Sequence, residues 1–208
     1  MTTKKKIVIL ILAAVAVLAG FFIWRDIQKQ KPPLSTPGVG NELGEENATS
    51  TSNEKKSASQ TKKQAEYEYF KSRAPNLDRE IIITENLSEE SKNKLTAEIK
   101  FLSHTLKQEY NYYQGWLQLG LLRKALGDFE GTKQAWEFAA LIRPKEFLAY
   151  NNLGVLYWQY LKDYPKAEKN FLQSIENDPT QLMVYQNLHE LYRFSYKEKA
   201  DLADDILI

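Results

Sequence analysis

The chain has 208 residues, with 28 Lys and Arg against 27 Asp and Glu, and it has no cysteine. That length allows one modest domain with extensions, and the near-balanced charge leaves no electrostatic footprint for nucleic acid or another polyanion. The missing thiols exclude disulfides, thiolate metal sites and cysteine nucleophiles.

Residues 1–6 are a short tail ending in Lys4, Lys5 and Lys6. Residues 7–24, IVILILAAVAVLAGFFIW, run for eighteen positions without a charge. As a helix they would span roughly 27 Å, close to the hydrocarbon thickness of a bilayer. We expect one transmembrane helix here, with Trp24 and Arg25 at the far interface. A cleaved signal peptide is the competing reading, because Ala14-Val15-Ala16 offers a small-x-small site. The apolar run continues past it to Trp24, which favours a retained signal anchor. Three lysines precede the span and Arg25, Lys29 and Lys31 follow it, so the charge tilts only mildly toward a cytoplasmic N-terminus. With the very short N-terminal tail, we expect that orientation, with the rest of the chain on the outer, periplasmic or extracellular side.

Residues 25–63 are rich in Ser, Thr, Pro, Gly and charge and nearly free of large apolar groups. Such a stretch does not repay the entropy of ordering, so a disordered linker is expected. Order returns in a lead-in, 64–87, where Tyr67 and Phe70 share one face of a short helix ending before Pro75. Ile81-Ile82-Ile83 is β-prone, and the sequence leaves open whether it is a packed loop or an extended segment.

A helical domain is expected over 88–208. Ser88 is a suitable N-cap, with Glu89 and Glu90 in the first turn. Leu95, Ile99, Leu102 and Leu106 then recur at helical spacing, giving a capping helix over 89–108. Beyond it a set of residue types repeats. Trp116, Leu119 and Gly120 are followed by Gly127, Asp128, Thr132, Trp136, Ala139 and Pro144. Tyr150, Leu153, Gly154 and Tyr157 are followed by Asp163, Ala167, Phe171, Ser174 and Pro179. Trp116 to Tyr150 is a step of 34 residues (150 − 116), and Pro144 to Pro179 is 35 (179 − 144).

A period of this size is the signature of stacked helical hairpins. On these residues the chain resembles the tetratricopeptide repeat family. Repeat one covers 113–146, repeat two 147–181, and a partial repeat three 182–208 begins at Tyr185, Leu188 and Tyr192. Departures are Arg123 for a tyrosine, Thr132 and Ser174 for alanines, and His189 for a glycine. Repeat two carries one extra residue between Tyr157 and Tyr164. Lys197 to Leu207 should be the second helix of unit three, although Asp204 and Asp205 stand where an aromatic is wanted. Gly120 and Gly154 are expected to admit a neighbouring helix backbone. The fold class is therefore all-α: a short tetratricopeptide solenoid preceded by one transmembrane helix and a disordered linker.

Little in the chain points to chemistry. Neither of the two histidines, His104 and His189, lies at a metal-ligand spacing. The acid pairs Glu45-Glu46, Glu89-Glu90 and Asp204-Asp205 are adjacent in sequence, and adjacent helical residues do not face each other. No phosphate loop or nucleophile elbow occurs. No enzyme activity, catalytic residue, cofactor, metal or small-molecule substrate is expected.

The resemblance implies a concave binding surface lined by the first helix of each unit. In unit one its positions are Gln114, Leu117, Gln118, Leu121 and Lys124. In unit two they are Leu148, Asn151, Asn152, Val155, Trp158 and Gln159. In unit three they are Met183, Gln186, Asn187, Glu190, Arg193 and Phe194. Asn152 stands where chaperone-binding members place an asparagine that clasps a peptide group. Leu117, Leu121 and Met183 replace carboxylate-clamp residues, which argues against a chaperone C-terminal tail. The groove is amide-rich and apolar, suited to an extended or helical segment of another protein. The reading is a membrane-anchored scaffold or adaptor with protein partners, in secretion or envelope assembly. Its alternative is a structural subunit of a homo- or hetero-oligomeric membrane complex, with the repeats packing on each other.

Overall fold

The computed structural model describes residues 49–207. The tail 1–6, the expected span 7–24 and the linker up to residue 48 lie outside the described residues. Among the described residues no helix is long and apolar enough to cross a membrane. All their regular structure is helical: α1 Thr49–Lys71, α2 Glu89–Gln108, α3 Tyr113–Ala125, α4 Phe129–Ile142, α5 Phe147–Val155, α6 Tyr164–Asn177 and α7 Leu182–Glu190. A π-helical turn extends α5 over Leu156–Leu161 and another extends α7 over Leu191–Ser195.

The helices form hairpins that stack in chain order. α3 packs on α4 and α5 on α6, while α4 against α5 and α6 against α7 join successive hairpins. α2 packs on α3. The punctuation is local. Gly127 takes a φ of 81° that ends α3. Asp128 and Asp163 cap the next helices by accepting from Gly131 N and Lys166 N. Ser88 does the same for α2 through Ser91 N.

Inside each hairpin one glycine faces one ring. A Cβ at Gly120 would lie 2.1 Å from Trp136 Nε1, and one at Gly154 would lie 2.5 Å from Phe171. The space these glycines leave is filled by an aromatic side chain of the second helix, not by a neighbouring backbone as expected. Trp136 Nε1 also donates to the Leu117 carbonyl at 3.0 Å. Trp116, Trp136 and Phe171 are fully buried, each contributing on the order of 2–3 kcal/mol.

The extra residue of repeat two is absorbed in the π-helical turn. A wider turn takes one more residue than an α-turn, so the flanking helices keep their register. The turn closes at Lys162, whose φ of 57° is left-handed. Unit three differs from expectation. Its second helix is replaced by two 3-10 segments, Lys197–Leu202 and Asp204–Leu207, broken at Lys199 and between the two segments. Asp204 supplies no ring to drive into the first helix, and Ala203 is the residue buried instead.

Two findings revise the region before the repeats. α1 begins at Thr49, so residues 49–63, read as linker from composition, are helical. No Gly or Pro interrupts the chain between Gly44 and Pro75, so nothing breaks a helix nucleated further on. That nucleus is the docked end of α1. Tyr67 donates to the Lys107 carbonyl at 3.0 Å and meets Tyr110 edge-on, while Phe70 meets Phe138. Residues 76–87 then form an extended strap across the α3–α4 turn. Thr84 N and Glu85 N donate to the Leu126 carbonyl at 2.8 and 3.3 Å. Within the strap Leu77 is buried and Ile81 half-buried, while Ile82 and Ile83 are exposed.

Candidate functional site

The first helices α3, α5 and α7, with the π-helical turns that extend α5 and α7, carry the residues assigned to the groove, and burial sorts those residues into three groups. Gln114, Leu121, Leu148, Gln159, Met183, Gln186, Glu190, Arg193 and Phe194 are exposed. Gln118, Lys124, Asn152, Val155 and Asn187 are half-buried. Leu117, Asn151 and Trp158 are buried, and these three are packing residues.

The buried ones show why. Asn151 is 4% exposed, and its Oδ1 accepts from Asn187 Nδ2 at 3.0 Å. The two amides thus satisfy each other between α5 and α7. Trp158 is 9% exposed; its Nε1 donates to Ser195 Oγ at 2.8 Å and its ring meets Phe171 edge-on. Asn152, in contrast, makes no side-chain hydrogen bond among the described residues, so its amide keeps both donor and acceptor capacity.

Lys124 is the cation of this face nearest to aromatic rings. Its Nζ lies 5.9 Å from the Trp136 ring and 5.7 Å from the Tyr160 ring. Burial holds its pKa below the usual lysine value. Tyr160, exposed and stacked at a tilt on Phe129 4.7 Å away, belongs to the same surface. Sequence spacing misses it because the π-helical turn rotates it relative to an ideal helix. At the other end Arg193 reaches Asp204 at 3.9 Å, a loose surface pair.

A second polar arrangement ties the units together. Tyr157 of the π-helical turn after α5 donates to Glu137 of α4 at 3.1 Å, and Tyr192 of unit three donates to Glu168 of α6, which also pairs with Lys199. Burial and the facing carboxylate raise the pKa of both tyrosines. Unit one has Arg123 at this position. Arg123 is 2% exposed and donates to Asp128 at 2.6 Å, and Arg79 from the strap donates to both oxygens of the same carboxylate at 3.1 Å. The departure at Arg123 is therefore matched to the strap. Among the described residues no group of three His, Asp or Glu side chains is placed to hold a metal ion.

No protein-family model matches the chain. Over 118 residues it is 33% identical to tetratricopeptide repeat protein 37 of Xenopus laevis, covering 56% of this chain and 7% of that protein. Over 101 residues it is 30% identical to superkiller complex protein 3 of Homo sapiens, covering 49% of this chain and 6% of that protein. The chain thus matches a small part of much longer relatives. Together with the all-helical hairpin stack, these matches point to tetratricopeptide repeats as the kind of structure this chain carries.

Proposed function

We propose that this chain is a protein-interaction scaffold that receives a segment of a partner protein on the face formed by α3, α5 and α7. The observation that carries this reading is the row of exposed or half-buried, mixed apolar and amide side chains on consecutive first helices. Leu121, Asn152, Met183 and Gln186 are its central members. Apolar residues supply burial, and the amide of Asn152 supplies a peptide-group partner. The relatives agree in kind: one is named for its repeats and the other as a protein of a complex. Residues 7–24 serve as a membrane anchor in this reading, with the repeats on the outer side and a role in secretion or envelope assembly. The test is partner recovery from the source membranes with a Leu121→Glu, Asn152→Ala, Gln186→Ala variant. Recovery is lost while the Tm stays near wild type; undiminished recovery removes the face from the account.

A second reading, self-packing in an oligomer, draws on the C-terminal unit, where Phe194 is 69% and Leu182 64% exposed. Light scattering across a concentration series separates the two, since a concentration-independent monomer contradicts self-packing.

A further inference from the structure

The strap and α2 flank an open pocket of about 600 Å³, lined from Leu77 to Ile81 on one side and from Thr96 to Lys107 on the other. Its size falls within the range of small-molecule sites. Arg79, Lys100, Lys107 and Arg123 line it, with Asp78 and Glu80 on the same wall. Asp128 lies behind the two arginines and is shared by both. Counting Asp128, three carboxylates stand against four cations, so the pocket has a net positive charge. Lys107 pairs with Asp78, whereas Lys100 has no ion pair among the described residues. Ser103 also lines the pocket, and its Oγ is buried without a hydrogen-bond partner. Leaving a buried hydroxyl unpaired is destabilising, a cost that a ligand oxygen would offset.

We propose that this pocket binds a small phosphate monoester carrying hydroxyl groups. The phosphate dianion sits against Lys100, Ser103 and the guanidinium of Arg123. Arg presents a planar fork of donors that matches phosphate oxygens, and Lys adds a point charge. Asp78 and Glu80 accept from the hydroxyl groups of the ligand. The site is separate from the face assigned to protein partners, and it binds a ligand without turning it over.

The probe is glycerol 3-phosphate, titrated by calorimetry into the detergent-solubilised full chain, with glycerol as the uncharged control. Saturable binding of glycerol 3-phosphate and none of glycerol is expected. Lys100→Met and Ser103→Ala should each weaken binding about tenfold, the effect of losing one charge-assisted hydrogen bond. Neither should lower the Tm, because Lys100 has no ion pair and Ser103 Oγ no hydrogen bond to lose. No binding at millimolar glycerol 3-phosphate, or binding that both variants leave unchanged, would overturn the proposal. Phosphatidic acid vesicles form a separate arm. Sedimentation with those vesicles in the absence of glycerol 3-phosphate binding assigns the charge to a membrane surface instead, and also overturns it.

Discussion

The side-chain amide of Asn187 donates to Asn151 Oδ1 across the gap between α5 and α7, 36 residues apart in the chain. The bond joins two residues that sequence reasoning gave to a binding surface. Asn151→Ala removes the acceptor and leaves the Asn187 amide without its partner. We expect a loss of about 1–2 kcal/mol, read as a lower urea midpoint. Asn152→Ala, half-exposed and unbonded, should shift the midpoint by less than about 0.5 kcal/mol.

Asp128 serves three elements at once. It caps α4, pairs with buried Arg123 and anchors Arg79 of the strap. Asp128→Ala leaves Arg123 as an uncompensated buried charge, so a loss of about 3–5 kcal/mol is expected. Arg79→Ala should cost clearly less, because Arg123 still pairs with Asp128. Chemical denaturation of both variants checks the order, and equal losses would contradict the shared-carboxylate account.

Gly120 and Gly154 should resist even the smallest side chain. The added methyl meets Trp136 or Phe171, both locked in a packed core. Gly120→Ala and Gly154→Ala are each expected to cost about 1–3 kcal/mol. Combining Gly120→Ala with Trp136→Leu should cost less than the sum of the two single changes, a coupling a double-mutant cycle measures directly.

The hairpins were legible because their residues do one job wherever they recur. An aspartate at a helix start and a proline past its end each act within about one unit, whereas the rings that face Gly120 and Gly154 come from the second helix and were not read from spacing. Trp158 and Asn151 misled for the opposite reason. Position along an ideal helix places them toward a groove, but burial depends on the next unit, which supplies Ser195 and Asn187. The strap was illegible because its contacts are non-local: Arg79 finds Asp128 49 residues away. Composition also misjudged residues 49–63, since a polar stretch becomes helical when its far end, at Tyr67 and Phe70, is docked.

Acid should weaken the fold in a defined window. Hydrogen bonds from Lys166 hold the Asp163 carboxyl below the usual aspartate value, and Lys133 does the same for Glu130. A depressed carboxylate contributes stability that is complete above its unfolded pKa, about 4. The contribution is lost as pH falls through the lower folded value. The Tm should therefore be flat from pH 7 to about 5 and fall below about 4. Asp163→Asn should reduce that fall.

The central claim is that a partner segment lies on the first-helix face. A photocrosslinking amino acid placed singly at Leu121 or Met183, and as a control at Leu172 on the second helix α6, tests it in native membranes. All three positions are exposed. The account predicts the same protein adduct at Leu121 and Met183 and none at Leu172. Adducts at Leu172 alone, or none at the two first-helix positions, would contradict it.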